Sequence, residues 1–298
     1  MHSLTQLLIQ FFNIINTNKK RIFYAWNNFS SWVISFLFII FTWEDLNIKN
    51  LFIRLGIIIA LYLLILIFST WWVCSFKKEY TIWEKGSGKI ITQYGDLLKE
   101  SFEKKNNETL YVIPFNSSFD VIVDDDTIIQ KPLVSPNSLH GKWIEKMIEH
   151  GTSASEINNR IKLSLNQQNE FHYKVADKKT RGNKEIYKLG TIASVKGINK
   201  STFLLLAFTD FDEDNRAHVP LDKIHDIIKN LILYYDKHGQ GHDLVIPLMG
   251  TNLSRTGLTH NEVLRVIAST LQIYKEKIHG KIRIIIFKND KDKVTIYI

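Results

Sequence analysis

Between Leu51 and Phe76 the chain reads LFIRLGIIIALYLLILIFSTWWVCSF, an apolar run longer than the roughly 20 residues a helix needs to cross a bilayer core. Trp71 and Trp72 stand near its end, where indole rings prefer the headgroup boundary, and Lys77 and Lys78 follow at once. Arg54 lies within a turn of the other end and can snorkel to the interface. A second span runs from Ile22 to Trp43, interrupted by Asn27, Asn28, Ser30 and Ser31 but nearly all apolar from Trp32 onward. Only Glu44 to Asn50 separates the two, which fits a helical hairpin. Basic residues flank the outer ends (Lys19, Lys20, Arg21, Lys77, Lys78) and the loop holds only Lys49, so both termini are expected in the cytoplasm. The expected location is therefore a membrane, crossed more than once. A cleaved signal peptide fits poorly, because the apolar core starts late and no small-residue cleavage site follows it. Met1 to Asn18 places Leu4, Leu7, Leu8, Phe11, Phe12 and Ile15 at helical spacing, a pattern that serves an interfacial helix or a self-association surface.

The 298 residues leave room for one medium α/β domain after this hairpin. The net charge of +8 would admit nucleic acid as a partner, but much of the basic excess flanks the apolar spans, and no nucleic-acid role is expected. One cysteine, Cys74, excludes an intrachain disulfide and suits a reducing compartment. The organisation expected is an amphipathic cytoplasmic segment (1–21), a two-helix transmembrane hairpin (22–76), a linker (77–89) and a ligand-binding domain (90–298).

In that domain, strand-length apolar runs alternate with helical patterns, which predicts an α/β fold with a parallel or mixed sheet. Strands are predicted at Ile90–Thr92, Thr109–Pro114, Glu185–Val195, Thr202–Thr209, Asp243–Leu248 and Lys281–Phe287, with an edge strand at Val294–Ile298. Helices are predicted at Asp96–Lys104, His140–His150, Ser155–Asn166, Pro220–Lys237 and Asn261–Lys277, the third opened by a Ser153/Glu156 capping box. Glu170–Lys184 reads as an exposed polar loop.

Three units carry chemistry. In the first, the strand ending Ile246-Pro-Leu-Met enters a loop bracketed by Gly250 and Gly257, with Thr251, Asn252, Leu253, Ser254 and Arg255 between, before a helix capped by Thr259 and Glu262. Such a loop can aim backbone N–H groups at an anion, with Arg255 adding a phosphate contact; the same pattern also describes an ordinary strand-to-helix turn. No Gly-Lys-Ser/Thr follows, which disfavours a P-loop. In the second, Ile113-Pro-Phe-Asn116 runs from a buried strand into a polar loop containing Asp120. In the third, Ser138-Leu-His140-Gly141-Lys142 enters a helix. Polar loops at the C-terminal ends of parallel strands are how such sheets build ligand clefts. No metal site is expected.

Gly95-Asp96-Leu97-Leu98, Ile113-Pro-Phe-Asn116 and Ile246-Pro-Leu-Met-Gly250, in that order, resemble the macro domain, which binds ADP-ribose. Together with Ser138-Leu-His-Gly141-Lys and the N-terminal spans, the chain resembles the transmembrane macro-domain effectors of Thoeris anti-phage defence systems. The resemblance implies two transmembrane helices followed by a three-layer α/β/α macro-like domain with a mixed sheet. It implies no cofactor but a ligand derived from ADP-ribose, histidine joined to ADP-ribose, made from NAD by a TIR-domain partner enzyme. Carried over by residue, it puts Asp96, with Leu97 beside it, at the adenine, Asn116 near the distal ribose, Ser138, His140 and Gly141 at the cleft, and Gly250 to Arg255 around the diphosphate. Asp120 to Asp126 stands where hydrolysing macro domains show glycines, which favours a reader of the ligand; the alternative is a membrane-tethered hydrolase of ADP-ribose conjugates. A reader of this kind is no enzyme. It acts on the lipid bilayer, and as two helices cannot enclose a pore, it requires a homo-oligomer.

Overall fold

Strands buried on both faces read as continuous runs of Val, Ile and Leu rather than as alternation, and Leu-Tyr-Val-Ile, Leu-Val-Ile and Ile-Arg-Ile-Ile-Ile all take that form. In the computed structural model they become the middle of a mixed sheet. The structure describes residues 2–40, 42, 48–76, 78–103, 108–125, 132–167, 173–175, 179–211, 217–251 and 257–298. The chain divides into two units, Thr81–Lys288 and a helical one formed by Met1–Tyr80 with Asn289–Ile298.

The strands are β1 (Glu79–Lys85), β2 (Gly88–Gly95), β3 (Leu110–Asn116), β4 (Tyr173–Val175), β5 (Glu185–Tyr187), β6 (Ile192–Lys196), β7 (Thr202–Phe211), β8 (Ala217–His218), β9 (Leu244–Pro247) and β10 (Lys281–Phe287). The main sheet runs β1-β2-β10-β9-β3-β7-β6, with β8 on β7. Strands β2, β10, β9, β3 and β7 pair in parallel, and β6 and β8 join β7 antiparallel. Helices α3 (Leu97–Glu103), α4 (Leu139–Glu149) and α5 (Ala154–Asn166) pack Phe102, Trp143, Ile144, Met147, Ile157 and Ile161 against one face, onto Tyr111, Ile113, Phe115, Phe203 and Leu205. By the two-residue period, Val112, Leu204, Leu206, Ile246 and Ile284 face the other way. The buried stripes of α6 (Leu221–His238) and α7 (His260–Ile273) supply that layer. The unit is thus the three-layer α/β/α arrangement expected.

Some boundaries differ from the sequence reading. The segment 77–89 is not a plain linker, since it contributes β1 and the turn into β2. The strand expected over Glu185–Val195 is two strands parted by a turn at Leu189 and Gly190, and β5 pairs with β4 in a separate ribbon. Ser153 caps α5, but Glu156 turns to Arg160 (2.5 Å), so only half of the capping box forms. Around α7 the full box forms, Thr259 with Glu262.

In the helical unit the amphipathic start and the first span are one helix, α1 (His2–Ile40), because neither the asparagines nor the serines break helical hydrogen bonding. Helix α2 (Leu51–Trp71) is capped by Asn50, whose Oδ1 accepts the Phe52 N–H at 2.9 Å, and it continues as a π turn over Trp72–Phe76. Leu51–Ser75 contains an 18-residue window with a mean hydropathy of 2.8 of which only 6% is buried, and it is the one stretch among the described residues long and apolar enough to cross a membrane. Much of the expected interhelical loop (44–47) lies outside the described residues. Buried Ser30, Ser69 and Ile65 mark the α1–α2 packing, with Trp26 Nε1 donating to the Tyr62 carbonyl at 3.1 Å. The C-terminal segment forms no edge strand. It joins this unit instead, burying Val294 and Ile296, donating from Thr295 Oγ1 to Asn18 Oδ1 (2.6 Å) and stacking Tyr297 beneath Arg21 (5.0 Å).

Candidate functional site

Parallel pairing fixes one edge of the sheet as the place where strands end together. Gly95 lies opposite Phe287, Ile285 opposite Pro247, and Asn116 opposite Thr209. The segments that follow, beginning at Asp96, Ser117 and Leu248, therefore all leave the same edge, where open α/β sheets hold ligands.

A bulge between Phe115 and Asn116 starts the turn after β3. There Asn116 is 2% exposed and both ends of its amide are used: Oδ1 accepts the Asp120 N–H (3.0 Å) and Nδ2 donates to Asp120 Oδ2 (3.1 Å). Asp120, fully buried, is the hub. Its carboxylate also accepts from Lys179 Nζ (2.7 Å) and the Asn183 N–H (2.7 Å), while Asn183 Nδ2 reaches the carbonyls of Ser118 and Phe119 and the side chain of Asn158. Four residues on, buried Asp124 accepts from the Leu133 N–H (2.8 Å) and Arg181 (2.5 Å). Burial works to raise the Asp124 pKa, but the Arg181 hydrogen bond, the Leu133 N–H and the Arg181 charge outweigh it and hold the carboxyl below its ordinary value.

The segment 170–184 is largely exposed in its described part, as expected, but it holds β4 and a strap whose Lys179, Arg181 and Asn183 close over the acidic turn. Sequence reading missed this network. The available signal was charge complementarity between 120–126 and 179–184, which has no local period to reveal it.

Helix α4 approaches the same turn. Ser138 caps it, accepting the Gly141 N–H (2.9 Å) and donating to the Ser135 carbonyl (2.6 Å). A Cβ on Gly141 would come within 2.2 Å of that carbonyl, so packing alone demands glycine there. His140 stacks on Phe115, with centroids 3.5 Å apart, and its Nε2 lies 2.9 Å from the Asp120 carbonyl. A carbonyl only accepts, so the proton sits on Nε2. Burial pushes the imidazole pKa down to about 3 against the pull of that carbonyl, and the ring is neutral at ordinary pH. Ser138, His140, Gly141 and Asn116 are therefore brought together, as a tightly bonded wall.

Asp96 follows β2 and caps α3, with Oδ1 accepting the Lys99 N–H at 3.1 Å. One side-chain acceptor is so engaged, and the residue is half-buried at the sheet edge. Leu97 turns its side chain into the core at 4% exposure, which leaves only its backbone for any ligand. After β9 the chain passes Met249 to Gly250, buried with φ +102°, a conformation L side chains rarely adopt, and half-buried Thr251. The closing Gly257 has φ +74°. Asn252, Leu253, Ser254 and Arg255 lie outside the described residues. No group of three or more metal-ligating side chains occurs among the described residues.

A family profile described as "Thoeris protein ThsA, Macro domain" matches residues 90–287, two thirds of the chain. The chain belongs to the Thoeris ThsA macro-domain family. A curated relative, Thoeris protein ThsA of Bacillus amyloliquefaciens (strain Y2), is 27% identical over 261 residues, covering 85% of this chain and 80% of that protein. Solved structures with similar coordinates include the Oceanobacillus iheyensis macrodomain with ADP (12% identity, TM-score 0.44, 72% of this chain and 93% of that one). The same macrodomain with MES bound gives 13% identity and TM-score 0.44, over 72% and 92%. As a Thoeris ThsA macro-domain protein the chain is an anti-phage defence component. The Thoeris match begins at β2 and stops at the end of β10, so it takes in the described parts of the acidic turn, the strap and the glycine-bracketed loop alike.

Proposed function

We propose that the macro domain binds an ADP-ribose-derived signal, histidine joined to ADP-ribose, made from NAD by a TIR-domain partner, and that binding drives the helical units of several copies to disrupt the inner membrane. The observation that carries this reading is the family match to residues 90–287 combined with the exit of Asp96, Asn116 and Gly250 from one edge of a parallel sheet. The exposed apolar face of α2 supports the membrane arm. Both termini are cytoplasmic in this scheme, so the macro domain meets its signal inside the cell. No covalent chemistry is required of the chain, and no cofactor. Coupling requires the ligand to prefer one assembly state, and a difference of about 5.5 kcal/mol would move the population from 1:99 to 99:1.

The use of both ends of the Asn116 amide on Asp120 favours binding over hydrolysis, because that side chain is not free to orient a ribose or a water. The test is calorimetry on the full chain in nanodiscs against ADP-ribose and histidine-linked ADP-ribose, with product analysis and dye release from vesicles containing the protein. Binding without turnover, with ligand-dependent release, is expected. Turnover would replace the reader with a hydrolase; silence across the series would remove the ligand assignment.

A further inference from the structure

The parallel strands have a second edge, where β3, β7 and β9 begin. Between Leu110 and Asn116 lie six strand steps, so this edge is about 20 Å from the proposed cleft. A cavity of about 460 Å³ opens there, within the range of small-molecule sites. Its apolar floor is Leu110 and Leu204, both buried. One wall is the β6–β7 turn, which brings Lys196 and Lys200; the other is the end of α6, which brings Tyr234 and His238 with their rings tilted against each other, centroids 4.5 Å apart.

The walls are pre-formed. Gly197 N–H donates to the Ser201 carbonyl (3.0 Å) and Ser201 Oγ to the Ile198 carbonyl (2.6 Å), which closes the turn. On the other side Tyr235 OH donates to the His242 carbonyl (2.7 Å) and the Gly239 N–H to the Tyr235 carbonyl (2.7 Å). The charges in the cavity are uneven. Glu108, its one acidic lining residue, has Oε2 3.1 Å from His242 Nε2. Among the described residues Lys196 Nζ donates to the Thr202 hydroxyl (3.2 Å) and makes no ion pair, and neither does Lys200.

We infer that this cavity is a second ligand site, distinct from the cleft at the opposite edge, for a phosphomonoester of nucleotide size. The two ammonium groups meet the phosphate dianion, since Lys is a point charge suited to it. The Tyr234–His238 pair offers a ring face, and the Thr202 hydroxyl beside Lys196 offers a contact for a sugar. The volume is too large for phosphate alone to fill.

Adenosine monophosphate is the probe, titrated into the full chain in nanodiscs at low and high salt, with adenosine as the control lacking phosphate. Wild type and Gly250→Val are expected to bind it alike, because Gly250 leaves the other edge. The Lys196→Ala/Lys200→Ala variant should lose at least about tenfold in affinity while keeping its melting temperature, since both side chains are exposed, and raised salt should weaken wild-type binding towards that level. Equal binding of adenosine, no binding by wild type, or loss in Gly250→Val with the lysine variant intact would each overturn the proposal. A parallel titration with ADP-ribose reads the cleft separately, so failure there leaves this result interpretable.

Discussion

Two polar loops leave the same edge of the sheet, after β3 and after β9, and their described residues differ in kind. The first is saturated: buried Asn116, Asp120 and Asp124 spend their polar atoms on each other, on His140 and on the strap 179–183. The second is shaped by backbone, with left-handed glycines at Gly250 and Gly257 on either side. A loop whose polar groups are engaged internally can position a neighbour but has little left for a ligand, whereas a turn that requires glycine lets backbone approach a ligand closely. Substitutions in the first loop should therefore cost stability, and substitutions in the second should cost binding.

The largest effect expected is on the saturated side. Asp120→Ala strips a buried carboxylate from Lys179, Asn183 and Asn116, and removing one partner of a buried ion pair costs about 3–5 kcal/mol. Lys179 is 15% exposed and can turn partly to water, so the low end, about 3 kcal/mol, is expected. For a domain of this size that is a fall of roughly 6–12 °C in melting temperature. A melting curve unchanged within a degree would show that the hub is not what holds the turn.

Gly250→Val should give the mirror image. Valine at φ +102° forces the turn into another shape, and we expect affinity for an ADP-ribose derivative to drop by about 100-fold or more while the macro domain stays folded. Calorimetry beside circular dichroism separates the two readouts. Retained affinity would end the role of this loop in binding.

How far the sequence reveals this contrast depends on the range of the interactions. The glycine-bracketed loop is legible because its constraints are local: a buried strand, two glycines and the Thr259/Glu262 box lie within 19 residues of one another. The sheet is legible for the same reason, and β10 occupies the predicted Lys281–Phe287. The hub is not. Asp120 meets Lys179 across 59 positions and Asn183 across 63, and nothing periodic marks such a pair. Strand β1 was hidden because four of its seven residues are exposed and three are charged, and the C-terminal segment because burial of Val294 and Ile296 leaves the same alternation as an edge strand.

A third prediction uses pH to sharpen the contrast. His140 is held neutral by burial, its pKa pushed down to about 3, while in the unfolded chain it titrates near 6.5. Below pH 6.5 the unfolded state binds a proton that the folded state refuses, so the stability His140 contributes is complete above pH 6.5 and lost as pH falls towards 3. The slope approaches 1.4 kcal/mol per pH unit, or about 2 kcal/mol between pH 6.5 and 5. His140→Gln should flatten this limb in denaturant titrations run at several pH values. An identical slope in the variant would mean that other groups set the acid sensitivity.

The smallest effect expected is at Asp96, which belongs to neither loop and has two duties. Its Oδ1 caps α3, and the carboxylate is the proposed partner of the adenine. Asp96→Ala removes both, so about 1 kcal/mol of stability and about tenfold in affinity should go together. Asp96→Asn separates them, because asparagine caps a helix about as well as aspartate but carries no charge. If the carboxylate meets the ligand, Asp96→Asn should melt like wild type and still bind several-fold more weakly. If Asp96→Asn binds like wild type and only Asp96→Ala is impaired, the residue acts through the helix it caps, and it joins Asn116 and Ser138 among the groups that shape the edge of the sheet rather than touch what binds there.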